Sequence, residues 1–372
     1  MGQQHRVLMV ATSYPDSESD WQGLFIRKIA DAMGEGESPA VRLALWAPDG
    51  PRHPNLDYAC STADAAWLRD LARRGGIAHL LRSNPIVGLG RAGGLLKRLR
   101  ALYTRRGAET DIFHINWLQN ALPLHGLQAN AVITVLGTDF KMLKLPGMVA
   151  MLRQVMKTNR CILAPNANWM RRPLEKLFGD VAQVIPVNFG IDENWYQLEC
   201  PAPGPINHWL CVLRVTEDKI GKLFEWGENL FNEATQLHLI GPNQGGVAIP
   251  DWVNYHGPVT AVQLAEKWYP MCTGFITLSE HSEGKPQVLL ETMAAGMPVV
   301  ASKLPAHEEL VTHGEHGYLV STALEFQEAV ARVSDPATHL QLSGNCRATI
   351  ECEYGSWQDC LARYQNLYGM LA

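Results

Sequence analysis

The chain has 372 residues, 47% of them hydrophobic and 19% charged, with 32 basic against 37 acidic side chains for a formal net charge of −5. An ordinary hydrophobic fraction, and glycines with no three-residue period, exclude a disordered or collagenous chain; at roughly 100–200 residues per domain the length suits two domains. Taken as an average, the mild acidity argues against nucleic acid or an anionic membrane as a partner.

In chain order, a short apolar strand is expected at 6–11, a helix at 23–33 and a second strand at 41–46. The five apolar residues 7–11 are too short for the core of a secretion signal, so a cytoplasmic protein is expected. A basic stretch at 69–106 follows, then strands at 112–116 and 131–136, a helix at 148–157, and strands at 161–164 and 181–185. Residues 198–205 read Leu-Glu-Cys-Pro-Ala-Pro-Gly-Pro, which continues neither a helix nor a central strand and is expected to be a linker. Beyond it come strands at 209–213, 236–240, 253–255, 274–277 and 298–301, with helices at 262–268 and 288–295. Strands of consecutive Val, Ile and Leu alternating with helices mean parallel sheets covered on both faces. The expectation is two doubly wound, Rossmann-like α/β domains, 1–197 and 206–354, facing one another across a cleft, with 355–372 a terminal helix. Sheets of this kind bind ligands at the carboxyl ends of their strands. The eight cysteines form no C-x-x-C pair and read as reduced thiols.

The most informative loop follows the strand at 274–277. It carries Glu283, then Gly284, Lys285 and Pro286, and leads into a helix containing Gln287, Val288 and Glu291. Proline suits a first helical position, and the free amides of a helix start attract phosphate. Glu283 and Glu291 can then address two different parts of one bound ligand. Arg214 and Lys219, five apart after another strand, form a fork and a point charge suited to a diphosphate.

Glu283-x7-Glu291, followed by Gly296-Met-Pro298-Val-Val and by Glu308-Glu-Leu-Val-x4-His-Gly317-Tyr-Leu-Val, resembles the retaining glycosyltransferases of the GT-B fold, family 4, also called glycosyl transferases group 1. Tyr14-Pro15, Gly23-Leu-Phe-Ile-Arg27, Phe113-His114, Gly137-Thr-Asp139 and Asn188-Phe-Gly190-Ile-Asp192 are similar to its other motifs. The resemblance implies a sugar moved from a nucleotide diphosphate to a glycan or lipid-linked acceptor, in cell-surface polysaccharide or lipopolysaccharide synthesis. It implies that Arg214 and Lys219 neutralise the diphosphate, that residues 284–288 line the donor, and that Glu291 holds the ribose. Glu283 would bind the transferred sugar, Gly23 would let the first loop approach phosphate and acceptor, and His114 and Asp139 would be polar residues near the reacting carbon. The terminal helix is expected to return to the first domain. Leu136 and the pair Lys285-Pro286 depart from the family pattern; the departure at Leu136 leaves open a non-catalytic nucleotide-sugar-binding partner, and the nearest alternative among enzymes is a nucleotide-sugar epimerase on the same fold.

No cofactor or metal is expected. Asp16-x-Glu18-x-Asp20 has metal-like spacing but sits in an acidic loop with no further ligand. Gly88-Leu-Gly90-Arg-Ala-Gly93 matches a dinucleotide fingerprint as a string, yet no full strand precedes it. Residues 69–106 hold nine arginines and Lys97 against Asp70 alone, a net +9, with leucines 95, 96, 99 and 102 interleaved. That reads as a basic amphipathic helix suited to an anionic membrane surface, and places the protein peripherally on the inner face of a membrane. Too few aromatics interleave for nucleic acid.

Overall fold

The structure, a computed structural model, describes residues 4–17, 20, 22–35, 41–281 and 283–372. Glu18 of the acidic triplet lies outside the described residues. The chain divides into two units, Met1–Phe189 with Trp357–Ala372, and Gly190–Ser356.

The first unit is built on seven parallel strands: β1 (His5–Val10), β2 (Val41–Trp46), β3 (Asp57–Tyr58), β4 (Ile112–Asn116), β5 (Asn130–Val135), β6 (Arg160–Pro165) and β7 (Gln183–Val184), in the order β3-β2-β1-β4-β5-β6-β7. Strand order reverses between β1 and β4, the switch point at which doubly wound sheets open a crevice. Side chains alternate between faces, as the two-residue period of a strand requires. Leu8 and Val10 pack with Phe113 and Ile115 on one face, while Val7 and Met9 pack on the other. Its helices are α1 (Leu24–Glu35), α2 (Thr62–Arg73), α3 (Gly76–Ser83), α4 (Pro85–Arg106), α5 (Asp139–Leu143), α6 (Met148–Thr158) and α7 (Arg171–Phe178). The C-terminal helix Trp357–Leu371 belongs to this unit and buries Cys360, Tyr364 and Tyr368 in the same cluster as Met9 and Ile29 of α1.

The second unit has six parallel strands: β8 (Asn207–Val212), β9 (Thr235–Ile240), β10 (Val253–Tyr255), β11 (Gly274–Thr277), β12 (Val299–Ser302) and β13 (Gly317–Val320), in the order β10-β9-β8-β11-β12-β13. Its helices are α8 (Glu217–Ile220), α9 (Leu223–Gly227), α10 (Ala261–Gln263), α11 (Gln287–Ala294), α12 (Pro305–Glu308), α13 (Ala323–Val333) and α14 (Pro336–Glu353).

Two expectations change. The division falls at Phe189–Gly190, and residues 198–205 lie inside the second unit. There the Arg347 guanidinium donates to the carbonyls of Tyr196 (3.0 Å) and Leu198 (2.6 Å), and the Cys200 thiol donates to the Cys272 carbonyl (3.1 Å). Proline forbids helix and ladder there, but side chains from elsewhere hold the extended segment down. Next, the basic stretch is three helices, not one. Leu95, Leu99 and Leu102 of α4 are core residues under the sheet. Asp64 and Asp70 take Arg98 (2.7 Å), Arg91 (2.8 Å) and Arg74 (3.0 Å). Counted from Thr62 to Arg106, the segment holds ten basic and two acidic side chains, a net +8. The glycine string 88–93 lies within α4 with no strand before it, as its sequence context implied. All eight cysteines are free thiols. Among the described residues no helix is long and apolar enough to cross a membrane.

Candidate functional site

In the second unit the predicted residues gather beyond the carboxyl ends of β8, β11 and β12. Arg214 is exposed just after β8, and Lys219 lies in the short helix α8. Lys219 reaches the Glu283 carboxylate, forming an ion pair between side chains only 16% and 22% exposed. Burial, then the Arg214 guanidinium, pushes the Lys219 ammonium down to about 8, with Asp218 acting in the opposite direction. Contact with the Glu283 carboxylate favours the charged form of the lysine.

Several groups that spacing alone did not reveal make this arrangement possible. The Asp218 carboxylate accepts from Thr216 (2.7 Å) and pairs with the His281 ring (2.5 Å), and the Asp218 carbonyl accepts the Glu280 amide (2.8 Å). Burial alone would raise the Asp218 carboxyl, but the bonds from Thr216 and His281 together hold it below its ordinary value. Ser302, at the end of β12, donates to the Ser279 carbonyl at 2.6 Å. The loops after β8, β11 and β12 are thus stitched to one another. Gly221 closes the first of them at φ +52, and a Cβ there would meet the Leu278 carbonyl oxygen at 2.0 Å. Only glycine lets the two loops approach this closely. The sequence signal for it was weak, one glycine two residues after Lys219.

Helix α11 begins at Gln287, so Pro286 is its cap (φ −71, ψ 113) rather than its first residue. Gln287 donates from its side chain to the Gly190 carbonyl at 3.1 Å, Gly284 is buried, and Val288 is partly buried. The Lys285 side chain, expected along the donor, instead enters the interior. It is 2% exposed and its ammonium lies 2.7 Å from Glu309. Glu291 is half-buried on α11, near enough to the buried Tyr269 phenol to add to the rise that burial causes in it.

The first unit holds the other three candidates. Gly23 stands at φ +74 with the Ser13–Tyr14 backbone 2.8–2.9 Å from where a Cβ would lie, so its backbone does make a close approach, to its own loop. His114 is fully buried: one ring nitrogen is 2.7 Å from the Tyr368 hydroxyl and the other 2.9 Å from the Thr134 hydroxyl. Burial pushes its pKa down to about 3. Both nitrogens are spent on the C-terminal helix and β5, so this is a neutral structural ring with no accessible surface for a substrate. Asp139 is 1% exposed and accepts the amides of Leu136 (2.9 Å) and Leu118 (3.3 Å). Burial raises it to about 7, against the pull of those two amides. It ties the loops after β4 and β5 together beside Trp117, a non-glycine residue at φ +69. Within the first unit, then, the polar residues near the strand ends serve the fold.

Residues 217–335 match a family model described as Glycosyl transferases group 1. Over 94 residues, 25% of this chain, the sequence is 31% identical to a probable sucrose-phosphate synthase of Thermosipho melanesiensis, and the match spans 22% of that relative's length. Among solved structures, the chain is similar to a sucrose-phosphate synthase from Thermosynechococcus elongatus, with a TM-score of 0.70, 16% identity and 99% of both chains covered. It is also similar to the Anabaena protein HepE solved in complex with UDP and glucose, with a TM-score of 0.63, 14% identity, and 99% and 100% of the chains covered. Two parallel-sheet units and these likenesses give the chain the GT-B fold.

Proposed function

We propose that the chain, whose residues 217–335 match the glycosyl transferases group 1 model and whose fold is GT-B, is a retaining glycosyltransferase using a nucleotide-diphosphate sugar. The observation that carries the reading is the meeting of Lys219 with Glu283 beyond the ends of β8 and β11, at the start of α11 and inside the matched region. In the reaction, the bond between the sugar's anomeric carbon and the diphosphate oxygen breaks. The acceptor hydroxyl oxygen bonds to that carbon on the same face, and its proton passes to the departing phosphate. Arg214 and Lys219 offset the charge that develops on the leaving group, an electrostatic role that needs no proton transfer from them. Glu283 faces the sugar, and Glu291, eight residues further on in the second turn of α11, takes the ribose hydroxyls with its two oxygens. The backbone from Gly284 to Val288 lines the donor between them, while the Lys285 side chain turns into the interior.

That one similar structure was solved with UDP and glucose supports a nucleotide sugar here. A thermal-shift panel of UDP, GDP, ADP and their sugars identifies the base, because a ligand bound only by the folded state raises the midpoint. Glu283→Ala is expected to abolish transfer while leaving nucleoside diphosphate binding intact; unchanged turnover, or wild-type binding with no transfer to any glycan or lipid-linked acceptor, would sink the proposal. Turnover in EDTA equal to turnover without it is the expected result for a metal-independent enzyme.

We propose further that the first unit docks on an anionic membrane surface bearing the acceptor, on the cytoplasmic face. Supporting this, Ile86 (84% exposed) and Leu89 (67% exposed) project at the start of α4 in the segment of net +8. The core leucines of α4 are not available for this, so the apolar contact falls to its first turns. Ile86→Ser with Leu89→Ser should weaken binding to vesicles containing phosphatidylglycerol, and salt should weaken it further. Binding that ignores both defeats the membrane reading.

A further inference from the structure

The turn from Glu283 to Pro286 has no backbone ladder of its own, and Pro286 has no amide to donate. Side chains define its path. On one side of Gly284, Glu283 pairs with Lys219 of α8. On the other, Lys285 runs into the interior, where its ammonium sits 2.7 Å from Glu309, 3.2 Å from the Tyr354 hydroxyl and 4.5 Å from the centre of the Tyr354 ring. Glu309 follows α12 and Tyr354 follows α14, so one ammonium joins the turn to two other elements of the unit. A buried ion pair is a poor source of stability, since desolvating both charges offsets most of their attraction, and apolar residues of similar size often serve as well. What the pair supplies and apolar contacts do not is direction: a fixed length and a fixed partner.

We propose that Lys285 is a positioning residue for the donor diphosphate. Its pair with Glu309, seated on Tyr354, sets the height of the turn, and with it the aim of the first free amides of α11 and of the Glu283 carboxylate. The inference rests on reading residues 214–291 as the donor site. An amide displaced by about 1 Å loses a large part of its effect on a bound group.

The test is a double variant, Lys285→Met with Glu309→Leu, which removes both charges and keeps the volume. It is expected to unfold within a few degrees of the parent. Its affinity for the nucleoside diphosphate that binds best among UDP, GDP and ADP should fall roughly tenfold or more, while affinity for the matching nucleoside stays the same. Tyr354→Phe, which keeps the ring and removes the hydroxyl, is the milder second variant and should lower the same ratio by a smaller factor. Unchanged diphosphate affinity in both variants overturns the proposal, as does an equal loss for nucleoside and diphosphate, which is what a merely structural role would give. If the parent binds none of the three diphosphates, the donor-site reading itself falls, and the positioning role with it.

Discussion

Two buried groups in the first unit make opposite demands on pH, and their opposition can be measured. His114 has a pKa of about 3 in the folded chain, against 6.5 for an unperturbed histidine. The unfolded chain therefore binds the extra proton, and the stability His114 contributes is full above pH 6.5 and lost as pH falls toward 3. Asp139 has a pKa of about 7, against 3.8. Here the folded chain binds the extra proton, so the stability is full below 3.8 and lost as pH rises through 7. Each group alone gives a slope of about 1.4 kcal/mol per pH unit, and between roughly pH 4 and 6.5 the two slopes have opposite sign and nearly cancel. Replacing one exposes the other. His114→Gln keeps hydrogen-bonding atoms for Tyr368 and Thr134, and Asp139→Asn keeps an acceptor for the Leu136 and Leu118 amides. Chemical denaturation of the full chain at pH 4.5, 5.5 and 6.5 is the assay, read as each variant minus the parent, so that every other titrating group drops out. From pH 4.5 to 6.5 the His114→Gln difference should move against the variant by about 3 kcal/mol, and the Asp139→Asn difference should move in its favour by about as much. The double variant should show a difference that is nearly flat. Parallel, pH-independent differences for both single variants would refute the placement of a neutral histidine and a protonated aspartate in this core.

Gly221→Ala should cost about 1–3 kcal/mol from its backbone conformation alone, and more because a Cβ would meet the Leu278 carbonyl oxygen at 2.0 Å; a melting midpoint equal to the parent's would contradict the close packing of the loops after β8 and β11. Leu99→Ala, at a fully buried position in the first unit, should cost about 2–5 kcal/mol, whereas Lys97→Glu on the exposed side of the same helix should leave stability almost unchanged and weaken binding to anionic vesicles. If Leu99→Ala reduced vesicle binding without lowering the midpoint, the leucines of α4 would be a membrane face after all.

The alternating strands and helices were legible because runs of Val, Ile and Leu are a local signal. Two strands escaped: β3 has only two residues, and β13 was visible as Gly317-Tyr-Leu-Val but short enough to pass for a motif. At the site, Glu283 and Glu291 were legible because their separation along one loop and helix is itself local. Their surroundings were not. Asp218 and His281, Ser302 and Ser279, and Lys285 and Glu309 are brought together by sheet order, and no spacing in the chain announces such pairs. Lys285 shows the limit most plainly, since a lysine in a polar loop is ordinarily a solvated charge and becomes a buried one here only because Glu309 and Tyr354 wait for it.

His114 failed for a different reason, one of phase. A histidine in a strand that ends at a ligand-binding edge can face either side of the sheet, and a period of two residues says only that it faces away from Phe113 and Ile115. Register then decides. His114 lies beside Met9 of β1 and Val132 of β5, and both of those pack in the cluster that the C-terminal helix covers. The covering residues, Tyr364 and Tyr368, lie some 250 positions downstream. The same strand carries Asn116 two residues on, at its end and in the same phase, with its amide donating to the Val10 carbonyl at 3.2 Å. A polar residue near a strand end is therefore evidence of a site only when the face it occupies stays uncovered, and in this fold the cover is supplied by the last helix of the chain.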